Sequence, residues 1–338
     1  MSTTSVVNHR VVLASRPNGM PLESDFRLET VDQDPPMPGQ VLVGVDVLSI
    51  DAFIRTMLDE SAYHGSTGIG GTVTALGVGR VLASAADGFA AGDSVFGPLG
   101  AQSVACLPAA MLRPLDVSVV PATARLGVLG MTTGLTAYFG MLEVGAVKPT
   151  DTVVVSAAAG AVGSIAGQLA RIAGAKSVIG IAGGPAKVSL LVDDLGFDAA
   201  IDYKNDDVGA RLRELAPDGV DVFFDNVGGD ILDAVLEQIV EGSRVVICGA
   251  ISQYQQMDSV QGPRNYLKLA ERQARMEGFA VTHFDARFAE AEAALTGWMA
   301  EGRINLPEHV EHGIEEFPAA LRMLLTGGHA GKLLLQVS

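Results

Sequence analysis

Between Val153 and Ala175 the chain reads VVVSAAAGAVGSIAGQLARIAGA, a β-branched run that passes through small residues straight into a helix-compatible stretch. The pattern then recurs, with SVIGIAG, AAIDY, VDVFFDNVG, SRVVICGA and MEGFAVT as further apolar strands and mostly helix-compatible segments between them. Strands alternating with helices imply an α/β chain with a parallel, doubly wound sheet, because parallel neighbours need a crossover connection. This rhythm is expected to occupy residues 128–303.

Earlier in the chain, QVLVGVDVLSI places Val41, Val43, Val45 and Val47 on one face by period-two patterning. GVGRVLAS and GDSVFG continue a β-rich unit to about residue 120, with Gly, Pro and Asp between the runs. The tail carries EFPAALRMLLTGGHAGKLLLQV, read as a helix, a Gly turn and a final strand. It is expected to return to the first unit, so that residues 1–127 and 304–338 form one discontinuous domain.

The 39 acidic residues outnumber the 23 basic ones, giving a net charge of −16 spread along the chain, which argues against nucleic acid and anionic membrane as partners. No apolar run reaches the roughly 18 residues of a membrane span, and MSTTSVVNHR lacks a basic segment followed by an apolar one. A cytoplasmic location is the resulting expectation. Cys106 and Cys248 are the only two cysteines, so neither a disulfide framework nor a cysteine-rich metal site is indicated; Cys106 reads as a small buried apolar residue.

The opening stretch spaces its small residues as A-x-x-G-x-x-G from Ala157, with Gly160, Ala161, Val162 and Gly163 where strand becomes helix. Glycine lets backbone approach a phosphate, and free helix N–H groups favour its charge. Tight strand-to-helix packing is the alternative for this stretch alone; the βαβ context favours a dinucleotide. The second strand ends IGIAGGPAK, with Gly183 and Gly184 and no acid to bind ribose hydroxyls. That leaves room for a 2′-phosphate beside Lys187, and NADPH is expected over NADH. A solvated helix lysine is the other reading of Lys187, and Tyr203 either adds a hydroxyl to the phosphate or caps a strand edge.

The pieces SIDAFIRTML, GVGRVLAS, AAGDSVFG, GMTTGLTAYFG, SAAAGAVGSIAGQLA, GFDAAIDYK, DNVGG and VVICGAISQY, in this order, resemble the medium-chain dehydrogenase/reductase superfamily. Within it they are similar to the zinc-independent alkenal/enone reductases, the group of prostaglandin and curcumin reductases. The resemblance implies a GroES-like β-barrel catalytic domain, a Rossmann domain, NADPH and a homodimer. It also implies that Lys187 and Tyr203 hold the 2′-phosphate, that Asn226 and the backbone at Cys248 and Gly249 approach the nicotinamide half, and that Tyr254 faces the substrate. Arg264 and Tyr266 fall where such enzymes carry a cofactor- and substrate-facing loop and a dimer helix. Two departures bear on the substrate pocket: DAFIR puts Phe53 where a tyrosine is usual, and GAQSV replaces GWQEY.

A catalytic zinc needs three protein ligands, yet the region where zinc-dependent relatives place them reads SIDAF and GIGG, with no Cys or His. Hydride transfer to the β-carbon of an enone leaves negative charge on the carbonyl oxygen. Tyr254, in AISQYQ after a central strand, is the candidate donor to that oxygen; a cofactor ribose hydroxyl or simple pocket lining are the alternatives. Arg55 is a candidate pocket residue or a surface salt bridge, and His64 a substrate contact or a solvated loop histidine. The leading expectation is an NADPH-dependent enone C=C reductase, against a quinone oxidoreductase or a non-catalytic NADPH-binding protein.

Overall fold

Short apolar runs punctuated by glycine build the strands of the first unit. The protein, described at residues 5–60 and 65–338 of a computed structural model, divides into two compact units, 1–126 with 308–338, and 127–307. The first contains β1 (Val6–Leu13), β2 (Phe26–Gln33), β3 (Gln40–Ser49), β4 (Gly77–Ser84), β5 (Ser94–Gly97), β6 (Val104–Pro108) and β7 (Arg113–Pro114). The second contains β8 (Thr152–Ser156), β9 (Ser177–Ala182), β10 (Ala199–Asp202), β11 (Val220–Asp225), β12 (Ile239–Ile247) and β13 (Arg275–Gly278). The chain closes with β14 (Glu308–His312) and β15 (Lys332–Gln336).

In the first unit β1 and β2 form an antiparallel pair, while a larger sheet runs β14-β15-β3-β4-β5-β7 with β6 also on β3. The tail joins that sheet through β15, where Leu334 pairs with Ser49. Val41, Val43 and Val45 enter the core with Leu48, Ile54 and Phe317. Val47 does not share their face: the β3–β4 register shifts between Val45 and Val47, and Val47 packs with Val78, Leu126 and Leu334 instead. A bulge inserts one residue and so reverses a period-two alternation.

The second unit's sheet runs β10-β9-β8-β11-β12-β13 with parallel pairing throughout. In order of occurrence this is the 3-2-1-4-5-6 arrangement of doubly wound dinucleotide folds. β8 is buried along its whole length, as expected of a strand covered on both faces, and Val154, Ile179, Ile201 and Phe223 lie in the core. MEGFAVT is a strand only as far as Gly278; Val281–Arg287 follow as helical turn. The order reverses between β8 and β11, which fixes the crevice at their carboxyl ends.

Candidate functional site

β8 ends at the fully buried Ser156, and the turn that follows places Ala157 at φ +46°. This left-handed conformation costs an alanine about 1–2 kcal/mol and glycine almost nothing, so the missing first glycine leaves a strained corner. Gly160 caps the helix Ala161–Ile172 without any side-chain hydrogen bond, leaving its first amides for an anion. Ala161 and Val162 are half-buried on this first turn. Gly163 lets the helix approach, since a Cβ there would lie 2.4 Å from the Ala157 carbonyl oxygen.

One strand over, β9 runs into Gly183 and Gly184 and the short helix Pro185–Ser189. A Cβ on Gly183 would meet the Tyr203 ring at 2.8 Å and the Lys204 stem at 2.9 Å. Burial, and then the Lys204 ammonium, hold Lys187 below the usual lysine range. Glycine, tyrosine and two ammonium groups thus converge on one corner. Lys204 was not singled out in the sequence, although it directly follows Tyr203 in IDYK. Asp202 also stands here, its carboxyl held below the ordinary value first by the Gly184 amide and then by Asn205.

At the switch point Asp225 is fully buried at the end of β11. Its carboxylate accepts from Ser156 Oγ at 2.7 Å and from the amides of Val227 and Gly228 at 2.9 and 3.0 Å, while burial pushes its pKa up against those bonds. Asn226 donates its side-chain amide to the Ser156 carbonyl at 2.7 Å, and its backbone N–H to Ser156 Oγ at 2.8 Å. It pins β8 to β11 at the crevice floor. The Asp225 carbonyl accepts the Cys248 and Gly249 amides at 2.9 and 3.1 Å, which brings the end of β12 to the same edge. Asp225 and Ser156 escaped sequence reasoning because an acid ending an apolar strand carries no period.

Tyr254 follows the turn Ile251–Gln253, and its Oη accepts the Ala250 N–H at 3.3 Å. A methyl on Gly249 would lie 2.9 Å from that oxygen. Burial raises the phenol's pKa above its ordinary value, the Ala250 bond opposes the shift, and the neighbouring Cys248 and Asp225 add to it. The Cys248 thiol is pushed up to about 12 by burial and by Asp225, so it is no nucleophile at neutral pH.

Among the other expected site residues, Phe53 and Arg55 belong to the first unit, and Arg264 and Tyr266 to the second. Phe53 begins the helix Phe53–Met57 and packs against the first unit's core. Arg55 is only 2% exposed; its Nε donates to the Gly19 carbonyl at 3.1 Å and its Nη1 pairs with Asp59 at 2.8 Å. It acts as a buried strut within the first unit, with the partly exposed Asp59 as its ion-pair partner. Arg264 pairs with Asp230 and Asp233, and Tyr266 is exposed. His64 lies outside the described residues.

The uncapped helix start after Gly160, held close to the turn at Gly163, and a corner with two ammonium groups fit a dinucleotide bearing an extra phosphate. Fold and site together define a dinucleotide-dependent oxidoreductase. Residues 9–115 match the family described as the N-terminal domain of oxidoreductase, and residues 161–297 the family described as zinc-binding dehydrogenase. The chain is 36% identical to an NADPH-dependent curcumin reductase of Escherichia coli, covering 98% of this chain and 97% of that protein. It is 37% identical to an NADP(+)-dependent 2-alkenal reductase of Nicotiana tabacum, covering 98% of each. The crystal structure of CurA from Vibrio vulnificus in complex with NADPH superposes with a TM-score of 0.92 at 36% identity, over 98% of this chain and 99% of that one. The chain belongs to the medium-chain dehydrogenase/reductase superfamily, in its alkenal/enone reductase family.

Proposed function

We propose that this chain is an NADPH-dependent reductase of α,β-unsaturated aldehydes and ketones that acts without zinc. The observation that carries the reading is the placement of the Tyr254 phenol, its Oη accepting the Ala250 amide, on the same sheet edge as the phosphate turn and the cationic corner. When bound, the nicotinamide supplies a hydride. The chain's own residues do the rest: the amides after Gly160 would hold the pyrophosphate, and Lys187, Tyr203 and Lys204 would hold the 2′-phosphate. Asn226 and the backbone at Cys248 and Gly249 form the crevice floor and would receive the nicotinamide half.

As the β-carbon of the substrate takes up hydride, charge develops on its carbonyl oxygen. Tyr254 donates its O–H to that oxygen. The Ala250 amide already occupies an Oη lone pair, which orients the phenol and leaves the proton for the ligand. A phenol holds its proton at neutral pH, and solvent protonates the α-carbon.

The proposal of zinc-independence rests on SIDAF and GIGG, which carry no Cys or His where zinc-dependent relatives place their ligands. Among the described residues no helix is long and apolar enough to cross a membrane. The family resemblance extends the proposal to a homodimer, and the cytoplasmic location expected from the sequence is proposed with it.

The test mixes purified protein with NADPH and a 2-alkenal, an aryl enone or a quinone, and follows nicotinamide absorbance with NADH in parallel. Consumption with the alkenal and enone, much weaker with NADH, is the expected result. Consumption with the quinone alone would replace this reading by quinone reduction, and binding without consumption would leave only a dinucleotide-binding protein.

A further inference from the structure

The phosphate corner holds a carboxylate where negative charge works against the ligand. Asp202, the last residue of β10, is buried. Its Oδ1 accepts the Gly184 amide at 2.7 Å and the Lys204 amide at 3.1 Å, and its Oδ2 accepts the Asn205 side-chain amide at 2.7 Å. The Gly184 carbonyl in turn accepts the Lys187 amide at 3.1 Å, and the Tyr203 amide donates to the Ala182 carbonyl at 3.1 Å. One carboxylate therefore ties together the two segments that carry the corner's ammonium groups.

We propose that Asp202 is a positioning residue for cofactor selectivity, clamping the Gly184 loop to Lys204 and thereby setting Lys187 and Lys204 around the 2′-phosphate. This rests on the NADPH reading above, and it gives a role to an acid whose charge alone would oppose that ligand. Two effects compete. Charge repulsion across solvent is screened, whereas hydrogen bonds to an ionised acceptor are about twice as strong as neutral ones, and three donors already face this one. The clamp is the larger effect. The two effects also differ in sign: if repulsion dominated, neutralising Asp202 would tighten binding of the phosphate, and if the clamp dominates it weakens it.

Titration calorimetry with adenosine 2′,5′-bisphosphate and with 5′-AMP separates these outcomes without turnover. Wild type is expected to prefer the bisphosphate. Asp202→Asn is expected to bind the bisphosphate about tenfold more weakly while 5′-AMP stays within about twofold, and Asp202→Ser, which keeps a single small acceptor, should show the same selective loss. Unchanged or tighter bisphosphate binding in both variants, or equal loss of both nucleotides, overturns the clamp while leaving the NADPH reading intact. No preference in wild type overturns both.

Discussion

Gly163→Ala asks whether the strand-to-helix turn is as tight as its geometry requires. The new Cβ would sit 2.4 Å from the Ala157 carbonyl oxygen, 2.9 Å from Ala158 Cα and 3.0 Å from Ala157 C. All three are backbone atoms, so no side chain can swing away. Bringing the closest contact out to 3.0 Å needs a shift of about 0.6 Å between helix and turn, and Ala157 already sits at φ +46° with little freedom to yield. Overpacking of this kind costs about 1–3 kcal/mol, while alanine regains about 0.8–1 kcal/mol of helix propensity. The net destabilisation is about 0–2 kcal/mol. At about 2–4 °C per kcal/mol, Tm falls by at most about 8 °C, and the protein remains folded at 25 °C. Affinity is expected to suffer more, because the displaced amides are those proposed to receive the pyrophosphate. Scanning fluorimetry paired with NADPH fluorescence titration is expected to show a modest Tm change and at least about tenfold weaker binding, the equivalent of one charge-assisted hydrogen bond. Wild-type affinity in this variant would refute the close-approach argument.

Three further outcomes are expected. Tyr254→Phe removes the proposed oxyanion donor and should lower kcat about 100- to 1000-fold with NADPH affinity within about threefold; turnover within about threefold of wild type would reject the assignment. Because the Lys187 pKa is held below the ordinary lysine value, its ammonium loses charge at lower pH than a free lysine would. The preference for adenosine 2′,5′-bisphosphate over 5′-AMP should therefore decline as pH rises, before pH reaches the ordinary lysine range, and calorimetry across alkaline pH checks the direction. Cys248, with its thiol pushed up to about 12, should resist iodoacetamide at pH 8 in the native protein, as read by peptide mass spectrometry.

Periodicity made the frame of the second unit legible, because a parallel sheet covered on both faces reads as unbroken apolar runs such as Val153–Val155. The small residues after Ser156 located its crevice. The first unit was less legible: the β1–β2 pair carries weak alternation, and the bulge beside Val47 reversed a face that even spacing placed with Val41. Side chains whose role is set by partners distant in sequence stayed hidden. Asp225 meets Ser156 across about seventy residues, Asp202 meets Gly184 across the β9–β10 crossover, and Arg55 is claimed by the Gly19 carbonyl. No local pattern encodes such pairings.

The central claim concerns where the hydride goes. Turning over an aryl enone with NADPH deuterated at the transferable C4 position, and reading the product by NMR, tests it directly. The account predicts deuterium at the β-carbon of a saturated ketone, with the α-proton drawn from solvent. Deuterium on the carbonyl carbon of an allylic alcohol would contradict it.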